Sequence, residues 1–204
     1  MKASRPIPYR LFCASRNTLL CEVAFSFSIP SADHGRVTIT LTYPDPSANG
    51  AVRRHAQSQS WFTNSRDELL MCVGRFSLPD ALKRRGIGSW IWSGIHRHLP
   101  VEVQERLILT GSLSSTDALV PRTDAEGCPL MGTQGPLLMN QVALRNRFWS
   151  RMLVPTDGKG PTLWCDTQGN GAFRGQFRDP HHNRDCRRIL ADPLPPTQRC
   201  QQSA

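Results

Sequence analysis

The sequence predicts an α/β domain built on a mixed, mostly antiparallel sheet flanked by helices, and three features carry that expectation. Two runs near the N-terminus, CEVAFSFSIP from Cys21 and RVTITLTYP from Arg36, alternate apolar and polar residues with the period of a half-buried strand. The apolar segment ELLMCVGRFSLP from Glu68 leads through a basic, glycine-bearing loop into a helical pattern and a further strand, which is one βαβ unit. Near the C-terminus, TLWCDTQGNGAFRGQF alternates around Gln168-Gly169-Asn170-Gly171 and reads as a hairpin.

Taken in order, residues 1–18 read as an irregular lead-in. SADHG joins the first two runs and supplies turn chemistry, so a β-hairpin is expected there. DPSANGAVRRHAQ, with Asn49-Gly50, reads as a loop and SQSWF as a short strand. Glu68 to Pro79 is apolar enough for a central strand. From Gly86 the period changes: Ile87, Ile91, Ile95 and Leu99 recur every fourth residue, Trp90 and Trp92 widen the face, and Pro100 ends the helix. Glu105 to Ser114 is another strand. An insertion near 117–139, rich in Gly and Pro, reads as a long loop. A second amphipathic helix spans Asn140 to Leu153, with Leu144, Phe148 and Met152 at four-residue spacing. The domain is expected over 1–178. Residues 179–204, polar and with Pro193, Pro195 and Pro196 close together, are expected to form a partly disordered tail.

Composition narrows the functional classes. Twenty-five Lys and Arg against sixteen Asp and Glu give a net charge of +9, which favours polyanionic company: nucleic acid, anionic lipid or a phosphate-bearing cofactor. The seven cysteines are scattered, odd in number and never in a C-x-x-C pair, which argues for a reducing compartment. Arg10, Arg16, Asn17 and Glu22 interrupt every candidate apolar core of a signal peptide. No run reaches the ~18 apolar residues of a membrane helix. A cytoplasmic protein with no membrane partner is expected.

The stretch with most chemistry is Leu82-Lys83-Arg84-Arg85-Gly86-Ile87-Gly88-Ser89-Trp90. A strand that feeds through glycines into a helix leaves main-chain N–H groups converging on one point, where the helix dipole adds positive charge. Glycines let a ligand approach the backbone, and three cations surround it. The ligand this suits is a phosphate or pyrophosphate. Ile91 stands where the dinucleotide fingerprint needs its third glycine, and Gly88-Ser89-Trp90 replaces the Gly-Lys-Ser/Thr of the nucleotide-hydrolysing P-loop. Gly158-Lys159-Gly160 lacks both the hydroxyl and the preceding strand.

Lys83-Arg84-Arg85-Gly86-Ile87-Gly88 resembles the pyrophosphate loop, Gln/Arg-x-x-Gly-x-Gly/Ala, of the GNAT superfamily of acyl-CoA-dependent N-acyltransferases, with Lys83 in the first place. The resemblance extends over Glu68 to Val154, through the order strand, loop, helix, strand and a second helix with an aromatic pair, Phe148-Trp149. It implies a GNAT-like sheet and a cofactor, acetyl-CoA or another acyl-CoA. The amides of Arg84, Arg85, Gly86, Ile87, Gly88 and Ser89 would take its pyrophosphate, and Arg84 and Arg85 would reach the adenosine-side phosphates. The backbone edge of Phe76, Ser77 and Leu78 would pair with the pantetheine arm. The implied activity is transfer of an acyl group to an amine, on a small molecule or a protein. The chain departs from the family in an altered N-terminal portion, with strands in place of two early helices, and in the insertion. It also has Trp149 where the family frequently has a Tyr that protonates the departing thiolate, a role an indole N–H cannot fill.

No catalytic residue is assigned. Glu68 sits roughly where many family members keep a carboxylate, and reads either as a base or as a strand-end acid. Ser112, Ser114, Ser115, Thr116 and Asp117 read as lining a substrate channel, capping a helix or making a turn. Cys72 in its apolar strand reads as packing. His96 and His98 fall on different helix faces, and His181, His182 and Cys186 match no zinc spacing with Cys165 or Cys200, so no metal is expected. Arg145, Arg147 and Arg151 beside Phe148 and Trp149 fit a nucleic-acid surface or an ordinary amphipathic helix. The alternative to an enzyme is a catalytically degenerate CoA-binding, nucleic-acid-binding or protein-binding module.

Overall fold

The computed structural model describes residues 5–44, 53–66, 68–74, 76, 78, 82–83, 85–113, 119–121, 124, 130–133, 135–156, 163–177 and 189–194. Four long antiparallel strands come first: β1 (Ile7–Cys13), β2 (Thr18–Ser31), β3 (His34–Pro44) and β4 (Arg53–Ser65), followed by β5 (Glu68–Val73). Then come α1 (Ile87–His98), α2 (Val101–Arg106) and β6 (Leu107–Leu113). The insertion carries β7 (Leu119–Pro121), β8 (Met131–Gly132), β9 (Gly135–Pro136) and β10 (Leu138–Asn140). The chain continues with α3 (Gln141–Met152), β11 (Leu153–Val154), β12 (Leu163–Cys165), β13 (Gly171–Phe177) and β14 (Ile189–Pro193).

Ten strands form one sheet in the order β11-β13-β6-β5-β4-β3-β2-β1-β14, with β12 also paired to β13. Every pairing in it is antiparallel except β5 with β6. The chain is thus α/β with a large, mostly antiparallel mixed sheet, but only three helices occur among the described residues. None of the described helices is long and apolar enough to cross a membrane.

The core lies on one face of this sheet. Val23, Phe25 and Phe27 of β2, Val37, Ile39 and Leu41 of β3, Phe62 of β4, and Leu69 and Met71 of β5 are buried there. Each such side chain contributes about 1.5–3 kcal/mol on burial. Helix α1 meets them with Trp90, Ile91 and Ile95, all buried. Gly94 is the close approach: a Cβ there would lie 2.9 Å from the Phe25 ring. Helix α3 joins the same side, where Trp149 meets Trp92 of α1 and stacks on Phe173 of β13.

The opposite face presents Arg36, His55, Gln57, Gln59, Trp61, Ser112 and Gln176 to solvent, and no described helix packs on it. This explains the main departure from expectation. RRHAQ, expected in a loop, belongs to β4, which runs for 13 residues rather than the five of SQSWF. From His55 to Ser60 its outward residues are polar and its inward ones are small (Ala56, Ser58, Ser60), so this part lacks the apolar beat by which a strand is recognised. The irregular lead-in likewise contains β1, and the segment assigned to the tail contributes β14, an edge strand on β1. Of the five residues of β14 only Ile189 is buried. The expected strand from Glu105 begins instead at Leu107, after α2, and β5 ends at Val73 rather than at Pro79. The insertion is not a plain loop: β7 pairs with β10 and β8 with β9.

Candidate functional site

The site is built where the pairing of β5 with β6 ends. Their parallel pairing runs from Leu69↔Leu107 to Cys72↔Thr110. Beyond that level β6 continues to Leu113 against β13, while β5 stays with β4. Gly74 follows β5 so closely that a Cβ on it would lie 2.1 Å from the Gln59 carbonyl oxygen. Only glycine fits there.

The chain then turns inward. Phe76 packs edge-on against Trp92, with ring centres 5.3 Å apart, and stacks near Phe148 at 6.5 Å. Leu78 also packs against the core and Leu82 is buried within it. Phe76 and Leu78, expected at an exposed strand edge, are therefore outside any strand and turned toward the aromatic cluster. Ser77 and Arg84 lie outside the described residues. Lys83 and Arg85 are half-buried on either side of the turn.

Gly86 adopts a left-handed conformation, φ 84°, and caps α1. Without a Cβ it makes the sharp entry at little conformational cost. Its carbonyl accepts the Trp90 N–H at 3.0 Å. No described side chain caps this end and no acid occupies the first turn, whereas Arg97 stands in the last, where its charge complements the dipole. The amides of Ile87, Gly88 and Ser89 are the first-turn donors that intrahelical bonds leave over. The loop thus brings together Lys83, Arg85, Gly86, Ile87, Gly88 and Ser89, a setting whose chemistry suits an anion.

Gly88 has a different role from the one its place in the motif implies. A Cβ there would meet the Phe148 ring at 3.2 Å and Leu78 at 3.4 Å. The glycine lets α3 pack against the first turn of α1, so its open side is taken by protein rather than ligand.

The candidate catalytic positions are engaged elsewhere. Glu68, at the start of β5, is ion-paired with Arg174 of β13, both side chains being mostly buried. Trp149 is 5% exposed, stacked on Phe173 with centroids 3.9 Å apart and edge-on to Phe148. It is a core residue. Arg145 donates from its guanidinium to the Gly169 carbonyl at 2.8 Å and to Cys165 Sγ at 3.6 Å. It ties α3 to the β12–β13 turn, which Asp166 closes by accepting the Gln168 and Asn170 N–H groups at 2.9 and 2.8 Å. Arg147 and Arg151 remain at the surface.

Two features gave no signal in the sequence. The first is the pair of Tyr9 Oη and His98 Nε2, 2.8 Å apart across 89 residues and packed among Phe25, Phe27 and Trp90. Burial, aided by the neighbouring Arg97 charge, lowers the His98 pKa below its ordinary 6.5. The unfolded chain then binds more protons than the folded one below that value. Stability is therefore expected to be full above pH 6.5 and to fall as pH drops toward the folded pKa. Thermal melts of the native chain and of His98→Gln between pH 5 and 7.5 check this, with the variant's curve the flatter.

The second is two buried polar atoms, Ser60 Oγ and Trp92 Nε1, neither with a hydrogen-bond partner among the described residues. A buried unsatisfied hydroxyl costs roughly 1–3 kcal/mol. Ser60→Ala is expected to raise stability by about 1 kcal/mol, read as an upward shift of the denaturation midpoint at unchanged slope. No family model, curated protein or solved structure matches the chain.

Proposed function

We propose that the chain binds acyl-CoA at the loop between β5 and α1 and transfers the acyl group to an amine, as a divergent GNAT-like N-acyltransferase. The observation that carries this reading is the end of the parallel β5/β6 pairing at Cys72 and Thr110, combined with the entry through left-handed Gly86 into an acid-free helix N-terminus that no described side chain caps. Converging amides with Lys83 and Arg85 beside them fit a pyrophosphate. Past Cys72 the β5 edge no longer pairs with β6, which would leave main-chain groups for a pantetheine arm to pair with.

Acetyl-CoA, when bound, would supply a thioester: the amine nitrogen would bond to its carbonyl carbon, the C–S bond would break, and CoA would leave as a thiolate that takes its proton from solvent. Main-chain N–H groups at the end of β5 would polarise that carbonyl, oxyanion-type stabilisation that needs no side chain. Glu68 is not the base in this reading, because its carboxylate is engaged by the Arg174 guanidinium. The amine arrives already deprotonated or loses its proton to solvent.

A second reading rests on Trp149. Since the family's acid position is filled by a core indole, the same loop would bind CoA without transfer. Calorimetric titration with acetyl-CoA, CoA and ADP tests both readings. Micromolar binding of the two CoA species, with ADP about tenfold weaker or more, is the expected result. Equal binding of all three, or none, overturns the assignment. Release of free thiol from acetyl-CoA with a panel of amines then separates transferase from binder.

A further inference from the structure

The helix-free face of the sheet carries an aromatic feature that the acyl-CoA reading does not use. Three of the five tryptophans, Trp90, Trp92 and Trp149, are buried, but Trp61 is 50% and Trp164 57% exposed. Both stand on the open face. Trp61 lies in a row that crosses six strands, Ser28-Arg36-Trp61-Cys72-Thr110-Arg174, each residue the register partner of the next. Trp164 pairs with Ala172, two residues from Arg174 along β13. Four strand spacings separate the two indoles, about 19 Å at the usual inter-strand distance.

The residues around them are of one kind. Ser26, Thr38 and Gln59 form the next row, and Thr40 and Gln57 the one beyond. Hydroxyl and amide groups, those of Gln57 and Gln59 exposed, thus flank Trp61. Charge on this face is basic where it counts: Arg36 is directly across from Trp61. Glu22 is shared by Arg10 and Arg53 at 3.4 and 3.0 Å, Glu68 is paired with Arg174, and Asp192 faces Arg10 at the sheet edge. The carboxylates here are matched by guanidinium groups, within a chain of net charge +9.

We propose that this open face binds single-stranded nucleic acid, with Trp61 and Trp164 as stacking platforms and Arg36 contacting the backbone. A flat sheet presenting aromatic rings can stack unpaired bases while arginines meet phosphates and Thr and Gln side chains meet base edges. Duplexes hide their base faces within the helical stack, so this surface discriminates against them. A protein partner recognised by apolar burial would need a contiguous apolar patch, and here Thr110 and Arg174 stand in the row between the two rings.

The test is fluorescence anisotropy with labelled single-stranded RNA and DNA of about twelve nucleotides, at two salt concentrations, against a duplex of the same length. Single strands should bind about tenfold or more tightly than the duplex, and weaken with salt. Trp61→Ala with Trp164→Ala should weaken binding about tenfold or more, whereas Phe at both positions should hold it within about threefold. Unchanged melting temperatures and Trp61→Phe keep a folding defect apart from lost stacking. Absence of single-strand binding, binding indifferent to the Trp variants, or an equal preference for duplex would overturn the proposal. So would salt-independent binding of a neutral oligosaccharide by the same rings in place of nucleic acid.

Discussion

Phe173→Ala is expected to lower stability by about 3–5 kcal/mol, at the upper end for a single core truncation. Phe173 is buried between Trp149, whose ring it parallels at 3.9 Å, and Gly111 of β6, where a Cβ would lie 2.5 Å from its ring. Its removal opens a void over β6 and leaves one face of Trp149 uncovered, which loosens the junction between α3 and the sheet. The mirror-image change should show the coupling. Gly111→Ala in the native chain drives a methyl into the Phe173 ring and should destabilise by about 1–3 kcal/mol. In the Phe173→Ala background the same methyl enters the void, and a strand alanine recovers some of the entropy a glycine forfeits. There it should be neutral or stabilising. Chemical denaturation of the four proteins gives the interaction energy directly. Simple additivity would mean that Phe173 moves aside freely and that Gly111 is not a packing residue.

The second large effect is expected on ligand binding. Gly86→Val places a β-branched residue at φ 84°, a conformation such side chains essentially do not adopt. The first turn of α1 must then open or tilt. The fold should survive with a loss of about 2 kcal/mol, because Ile91, Trp92 and Ile95 anchor the rest of the helix. Acetyl-CoA affinity should fall by about a hundredfold or more, since the converging amides lose their common direction. Calorimetry on the variant, with a melting curve to show that it is folded, is the check. Retained affinity would remove the loop from the binding site. Substitution at Gly88 is the less informative experiment, because Phe148 fills the space beside it and packing would change together with binding.

What could be read from the sequence depended on how one-sided each element's burial is. Helix α1 was legible because Ile87, Ile91, Ile95 and Leu99 repeat on one face, and the β2–β3 hairpin because Val, Phe and Ile alternate with Ser and Thr. The outer strands were not. In β4 the inward positions between Arg53 and Trp61 are alanine and serine, and in β14 one buried residue stands before prolines. The site divided in the same way. The loop's glycines and cations are contiguous, so their convergence at a helix start was visible locally. The Glu68–Arg174 pair spans 106 residues, the Tyr9–His98 pair 89, and the role of Gly88 depends on a helix sixty residues on. No local pattern encodes those partners; only the strand order, with β13 beside β6, brings the first pair together.

The edge formed by β1 and β14 has a mechanical consequence. The two strands are antiparallel, with Tyr9 opposite Pro193 and Cys13 opposite Ile189, and the Leu194 N–H still donates to the Pro8 carbonyl. The chain therefore enters and leaves this pair at the same end. A force applied through residues 5 and 194 peels the strands apart one hydrogen bond at a time, like a zipper, instead of shearing the whole ladder at once. Under tension β14 would yield first and at low load, while the sheet behind it, from β1 to β13, kept its shape.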